Sequence, residues 1–194
     1  QGDWSSAVCS SDLAAAPAGL PDDAATRTLA GRIAYRRGDR TAALAHFRRA
    51  HALAPDDRQA TFMTAVLTAE IGDPVAARDL LEALVVEAPD HAPAWAVLGN
   101  LRRRTGDPLA AVAALERALP GLPGRADPWV DLGLARLDLA EAEAAVAAFR
   151  RAAALAPDRV DVLVDLGIAL QAAGRMEEAF EAHARAHARD PATF

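Results

Sequence analysis

Lysine is absent from the 194 residues, and all 21 basic side chains are arginine. Against 27 acidic residues they leave a net charge of −6, which disfavours electrostatic binding to nucleic acid or to anionic membranes. A single cysteine excludes an intrachain disulfide framework and any cysteine-rich zinc site. Aromatic residues make up only 5% of the chain, which argues against a β-sandwich or barrel. No apolar run approaches the roughly 18 residues needed to cross a bilayer. Asparagine occurs once, at Asn100, and isoleucine three times. What is abundant is alanine: 51 residues, a composition for helices packed closely through small side chains. The bias toward Ala, Arg, Gly and Pro is what GC-rich codons encode, and points to a GC-rich bacterial genome. The length suits one ordinary domain with a sizeable core.

The chain repeats itself. Prolines stand at Pro21, Pro55, Pro89, Pro123, Pro157 and Pro191, 34 residues apart each time. A small residue keeps the same period at Gly31, Ala65, Gly99, Gly133 and Gly167, and a second at Gly38, Gly72, Gly106, Ala140 and Gly174. Alanine recurs at Ala43, Ala77, Ala111, Ala145 and Ala179, followed by a bulky column of Phe47, Leu81, Leu115, Phe149 and His183. A fixed period of this length marks a repeat architecture, in which each unit stacks on the next because it cannot bury its apolar face alone.

Each unit reads as two helices. In the third, Ala92 to Thr105 has helical spacing until Gly106-Asp107-Pro108 breaks it. Asp107 is a good N-cap, and Pro108 fits the first helical position, where a missing N–H costs nothing. Gly72-Asp73-Pro74 repeats the device, and Asp127-Pro128 opens the next unit similarly. The expected helices span 26–37, 41–54, 58–71, 74–87, 92–105, 108–119, 126–139, 142–155, 160–173 and 176–189.

This pattern resembles the tetratricopeptide repeat family. The third unit matches it at Trp95, Leu98, Gly99, Gly106, Ala111, Leu115, Ala118 and Pro123, and the fourth at Trp129, Leu132, Gly133, Ala145, Phe149, Ala152 and Pro157. Five units are expected, at 24–57, 58–91, 92–125, 126–159 and 160–193. The resemblance implies an all-α fold, a right-handed superhelical solenoid of tandem antiparallel helix pairs. The chain departs from the pattern at Arg102 and Arg136, where the family usually has tyrosine, at Ala140 in place of a turn glycine, and at His183 in place of an aromatic.

Residues 1–13 share no column with the repeats. Their stretch GDWSSAVCSSDL reads like the in-frame translation of a common sequencing adapter, so Trp4 and Cys9 are expected to be foreign to the fold. Residues 14–23 carry Ala16 and Pro21-Asp22-Asp23 in the columns of Ala50 and Pro55-Asp56-Asp57, the expected tail of a truncated preceding repeat. Phe194 falls where a further unit would begin, so the sequence reads as an internal fragment of a longer array.

Catalysis needs convergent residues, and none are evident. There is no Gly-rich phosphate loop, no G-x-S-x-G elbow and no H-E-x-x-H. Gly121, Pro123 and Gly124 read as a plain turn at a repeat junction. His183 and His187 lie one helical turn apart, a spacing that suits two metal ligands, but no third ligand is apparent. His46, His51 and His91 are scattered and expected to be solvated. Arg102-Arg103-Arg104 ends a helix, where positive charge complements the macrodipole; contact with a carboxylate-bearing ligand is the alternative. Glu141, Glu143, Glu177 and Glu178 sit in first turns for the same dipole reason. No catalytic, cofactor or metal residue is assigned.

The resemblance implies a protein-interaction scaffold that takes a peptide or partner helix in a concave groove lined by the first helices. Neither nucleic-acid binding nor direct membrane insertion is expected; the expected compartment is the cytoplasm, with the periplasm or a membrane tether as the alternative if a native N-terminus is missing. An alternative is the recognition arm of a larger glycosyltransferase- or sulfotransferase-type enzyme. The small and Leu columns take the packed side of each first helix, which leaves an offset stripe at i, i+4, i+7 for the groove. Its candidate partner-binding residues are Arg32, Tyr35, Phe62, Val66, Asn100, Arg103, Val130, Leu134, Leu137, Val164 and Ile168. Only Arg32, Asn100 and Arg103 could act as polar anchors. Two readings of the apolar part compete: an open groove, or burial between successive first helices by the superhelical twist.

Overall fold

The computed structural model describes residues 21–191. The leader expected at 1–13 and most of the expected repeat tail at 14–23 lie outside the described residues. The chain divides into two compact units, Gln1–Asp73 and Pro74–Phe194. The first holds α1 (Ala24–Arg36), α2 (Arg40–Leu53) and α3 (Arg58–Ile71). The second holds α4 (Pro74–Glu87), α5 (Ala92–Arg104), α6 (Pro108–Ala118), α7 (Asp127–Asp138), α8 (Ala142–Leu155), α9 (Val160–Ala172) and α10 (Met176–Arg189). A short 3-10 turn, Leu119–Gly121, follows α6. No strand occurs among the described residues. The fold is all-α, tandem helix pairs in sequence order, and each helix bound lies within two residues of the one the period predicts.

Aspartates begin several of the helices. The carboxylates of Asp23, Asp39, Asp57 and Asp107 accept backbone N–H groups of the first turn, supplying partners the helix itself lacks. His91 does the same for α5 through Nδ1, 3.1 Å from the Ala94 nitrogen. The expected Asp127 cap differs: α7 already includes Asp127, and no side chain caps it. Asp127 sits in the first turn instead, where it complements the dipole and pairs with Arg159.

Between paired helices the chain turns through a left-handed residue. Gly38, Gly72, Gly106 and Gly174 have φ of 82°, 111°, 89° and 76°, and Ala140 is forced to 58° in the same column. A Cβ in that region costs roughly 1–2 kcal/mol, partly offset by the lower entropy of unfolded alanine. Ala140→Gly is therefore expected to stabilise the second unit by about 0.5–1 kcal/mol, seen as a rise in Tm of roughly 1–4 °C.

The core follows the repeat columns. Ala43, Ala77, Ala111 and Ala145 are fully buried and Ala179 nearly so, and Phe47, Leu81, Leu115 and Phe149 are inaccessible. His183 fills the same column in α10, its ring lying where a Cβ on Gly167 would fall. Within the second unit each helix packs on the next in order, and α7 also touches both α5 and α9. The two arginines at the family's tyrosine column have a definite use. Arg102 reaches Glu82 at 3.0 Å and Arg136 reaches Glu116 at 2.6 Å, each twenty residues back on the preceding second helix. The aromatic contact is replaced by ion pairs between repeats. Being half exposed, each pair contributes little on its own.

Candidate functional site

In the first unit the predicted stripe lies along α1 and α3. Arg32 is exposed, whereas Tyr35, Phe62 and Val66 are half-buried. Tyr35 packs against the cluster of Ala43, Leu44, Phe47 and Leu67 and carries the Arg40 guanidinium 4.2 Å from its ring centre.

In the second unit the stripe runs along α5, α7 and α9. Val130 is only 9% exposed and joins the core with Val146, Phe149 and Leu163. Leu134, Leu137 and Val164 are half-buried against that cluster, and Ile168 is 46% exposed. Val130 is thus buried in the core that α8 and α9 share, while Leu134, Leu137, Val164 and Ile168 keep some apolar surface in solvent.

Two of the three polar anchors are already engaged. Asn100 Nδ2 donates to Asp131 Oδ1 at 2.7 Å, and Arg103 pairs with Asp138 at 3.3 Å. The arginine run thus does more than end a helix: Arg102 and Arg103 tie α5 to its neighbours on either side. Glu141, Glu143 and Glu178 likewise pair with arginines, Glu141 with Arg136, Glu143 with Arg175, and Glu178 with Arg150 and Arg175.

Two residues of this face escaped the sequence reading. Asp131 and Asp165 occupy one repeat column, where the other units have Leu29, Met63 and Val97. Both are half-buried in mid-helix. Burial pushes the pKa of each carboxyl up; at Asp131 the Asn100 hydrogen bond and the Arg103 charge oppose it. At Asp165 the nearby Asp161 charge adds to the rise, against Arg159 and Arg103. A charge recurring 34 residues apart in an otherwise apolar column is the signal that marks them.

The sign of the linkage follows. A carboxyl whose folded pKa exceeds its unfolded value holds its proton more tightly in the fold, so its contribution declines as pH rises from about 3.9 through the folded pKa. Asp165→Asn should raise Tm at pH 7, with the advantage over the parent vanishing near pH 3.5. An advantage constant with pH would show that charge burial is not its cause.

The histidines are not simply solvated, contrary to expectation. His46, His51 and His91 are all half-buried. His51 Nδ1 shares a 2.8 Å hydrogen bond with Thr61, and His91 caps α5. Burial, helped by Arg27, pushes the pKa of His46 down. Among the described residues no three metal-ligating side chains come together.

Two surface hollows lie away from the stripe. One, of about 460 Å³, is lined by Glu116, Leu119, Pro123, Trp129, Leu132 and Arg151. The other, of about 480 Å³, is lined by Arg150, Ala153, Pro157, Leu166 and Arg185, the residues 34 positions further on for five of those six, together with α10 side chains. A hollow that recurs with the period belongs to helix-pair stacking, and neither contains a stripe residue.

No helix among the described residues is long and apolar enough to cross a membrane. The tetratricopeptide repeat model matches residues 28–92, 69–126 and 130–192. No curated protein matches the sequence at a significant level. Among solved structures, a crystal structure of MamA shares 22% identity at a TM-score of 0.76, covering 87% of this chain and 92% of that one. MamA from residue 41 to the end, from Desulfovibrio magneticus RS-1, gives 19% identity and a TM-score of 0.79 over 90% and 99%. YrrB, described as a TPR protein with an unusual peptide-binding site, gives 17% and 0.75 over 89% of each chain. At such identities the likeness is one of fold. The family model, together with the recurring glycine, alanine and proline columns, covers most of the chain, which belongs to the tetratricopeptide repeat family.

Proposed function

We propose that this chain is a non-catalytic protein-interaction scaffold, and that its first helices take a peptide or partner helix along the stripe read from the sequence. The observation that carries this is the stripe on α7 and α9. Leu134, Leu137, Val164 and Ile168 keep solvent-accessible apolar surface on consecutive first helices, next to the half-buried carboxyls of Asp131 and Asp165. Apolar surface bordered by carboxyls suits a segment that alternates apolar side chains with a basic one. Family membership supports the scaffold role, and the peptide-binding site named for YrrB is a precedent within the same fold. Asn100 and Arg103 then act as organisers of the face through Asp131 and Asp138 rather than as free anchors. Arg32, Tyr35, Phe62 and Val66 form the corresponding face of the first unit. Val130 supports the surface from below.

The test is a selection from a random peptide library against the whole chain, followed by affinity measurement on a single variant. Leu134→Glu should weaken the selected peptides by at least tenfold with the helical circular dichroism unchanged. Leu109→Glu, at an exposed position on α6, should leave binding as it was. Equal loss in both variants, or in neither, contradicts the proposal.

A further inference from the structure

Nine arginines of the second unit, from Arg78 to Arg189, are ion-paired to a carboxylate. Arg104, Arg117, Arg151 and Arg185 have no carboxylate partner among the described residues. The last three stand 34 residues apart in one column, one on each of α6, α8 and α10, and all are exposed. Arg117 lies 4.9 Å from the ring centre of Trp95, and Arg151 5.7 Å from that of Trp129. Such ring contact orients a guanidinium and leaves its N–H donors open to an acceptor. Stacking of the helix pairs sets an apolar hollow beside two of these rungs. Arg151 borders the hollow of about 460 Å³ with Leu119, Pro120, Pro123 and Leu132, and Arg185 the one of about 480 Å³ with Pro157, Leu166 and Leu170. The Trp129 indole adds a further donor. Trp95 gives its N–H to the Pro89 carbonyl at 2.9 Å, whereas the Trp129 N–H meets no acceptor among the described residues. Pro120 stands in the column of Val86 and Ala154 and lacks the N–H that would continue the helix. So α6 ends at Ala118 and the junction before Trp129 starts from a 3-10 turn, whereas the one before Trp95 starts from a full 14-residue helix.

We propose that the second helices of this unit bind an extended acidic segment of a partner protein, with carboxylates on Arg117, Arg151 and Arg185 and apolar side chains in the hollows. Charge complementarity selects that occupant. Unpaired guanidiniums beside apolar walls and an open indole N–H call for carboxylates, apolar side chains and backbone carbonyls together. The net charge of −6 disfavours a nucleic acid strand as the source of the anions. Glu116 in the first hollow is held by Arg136. The second hollow also carries Glu178, held by Arg150 and Arg175, and Glu181, so Arg185 is the weakest rung. The ladder sets a spacing. α6 and α8 both pack on α7, and packed helices lie roughly 8–10 Å apart, so neighbouring rungs are on the order of 10–15 Å apart. An extended chain covers that in about three or four residues. The surface is separate from the first-helix stripe, whose carboxyls suit a basic segment.

The probe is a capped peptide of three Glu-Leu-Pro-Ser units, extended by its prolines, titrated into the whole chain at low salt, where exposed charges are least screened. The expected result is saturable binding that shifts the Trp129 indole N–H resonance and leaves that of Trp95 in place. Replacing the three glutamates by glutamine should abolish it. Arg117→Gln and Arg151→Gln should each weaken it about threefold, the range of single exposed charge contacts, and the double variant about tenfold. Arg185→Gln should have a smaller effect, and Arg104→Gln, outside the column, none. Circular dichroism should be unchanged throughout. Absence of binding at about 1 mM peptide overturns the inference. So does binding indifferent to Arg117 and Arg151, or a thymidine oligonucleotide that binds as tightly through the same arginines. Leu134→Glu should leave this peptide bound, so failure here leaves the first-helix reading standing, and failure there leaves this one.

Discussion

Phe149→Ala is expected to destabilise the second unit by about 3–5 kcal/mol, the usual cost of emptying a buried aromatic site. Phe149 is inaccessible to solvent and sits among Ala145, Ala152, Leu163 and Leu166, with Gly133 directly over its ring edge. Alanines cannot reach into the space the ring leaves, so little of the cavity can collapse. Chemical denaturation monitored by circular dichroism would read the loss. Phe180→Ala removes the same group from an exposed site and should change stability by no more than about 0.5 kcal/mol. The contrast matters because the sequence alone presents both as phenylalanines on second helices.

Gly133→Val should be nearly as severe, about 3 kcal/mol, by overfilling instead of emptying. A Cβ at Gly133 would lie 2.6 Å from Phe149 Cζ and 2.7 and 2.8 Å from two further ring carbons. A fully buried ring has nowhere to go, so α7 and α8 would have to separate. The remedy is visible in the second repeat, which carries Ala65 and Leu81 in the same two columns. Gly133→Ala combined with Phe149→Leu should therefore be much less destabilising than the sum of the two single changes. Additivity within about 0.5 kcal/mol would mean that the two positions do not press on each other.

These pairs also show how far the sequence could be read. Helix bounds were legible because proline, glycine and capping aspartate recur with the period, and a local signal repeated five times outweighs any single propensity. The close Gly133–Phe149 approach was implied by paired small and bulky columns. Less legible were contacts whose partners lie in different repeats. Arg102 and Arg136 broke the tyrosine column, and their partners Glu82 and Glu116 lie twenty residues away, beyond any helical neighbour rule. The offset recurs with the period, so a search for repeated charge pairs would have found it.

For the candidate face, helical spacing placed the stripe on one side of each first helix but could not say how much of it the next helix covers. That depends on how far consecutive first helices turn relative to each other, which no single-helix pattern encodes. Val130 lies where α7 meets its neighbours and is buried, while Ile168, in the column one turn on, is not. Asp131 and Asp165 were passed over because a lone acid in a helix normally reads as solvated surface. Burial in a column that is apolar elsewhere gives them their raised pKa.

The central claim is the location of binding, and methyl NMR of the labelled chain tests it most directly. A library-selected peptide titrated into the protein should shift the methyl resonances of Leu134, Leu137, Val164 and Ile168. Those of Val86 and Leu109, exposed on second helices, should stay in place. Shifts confined to Val86, Leu109 or the lining of the two hollows, with the four stripe residues unmoved, would contradict the account.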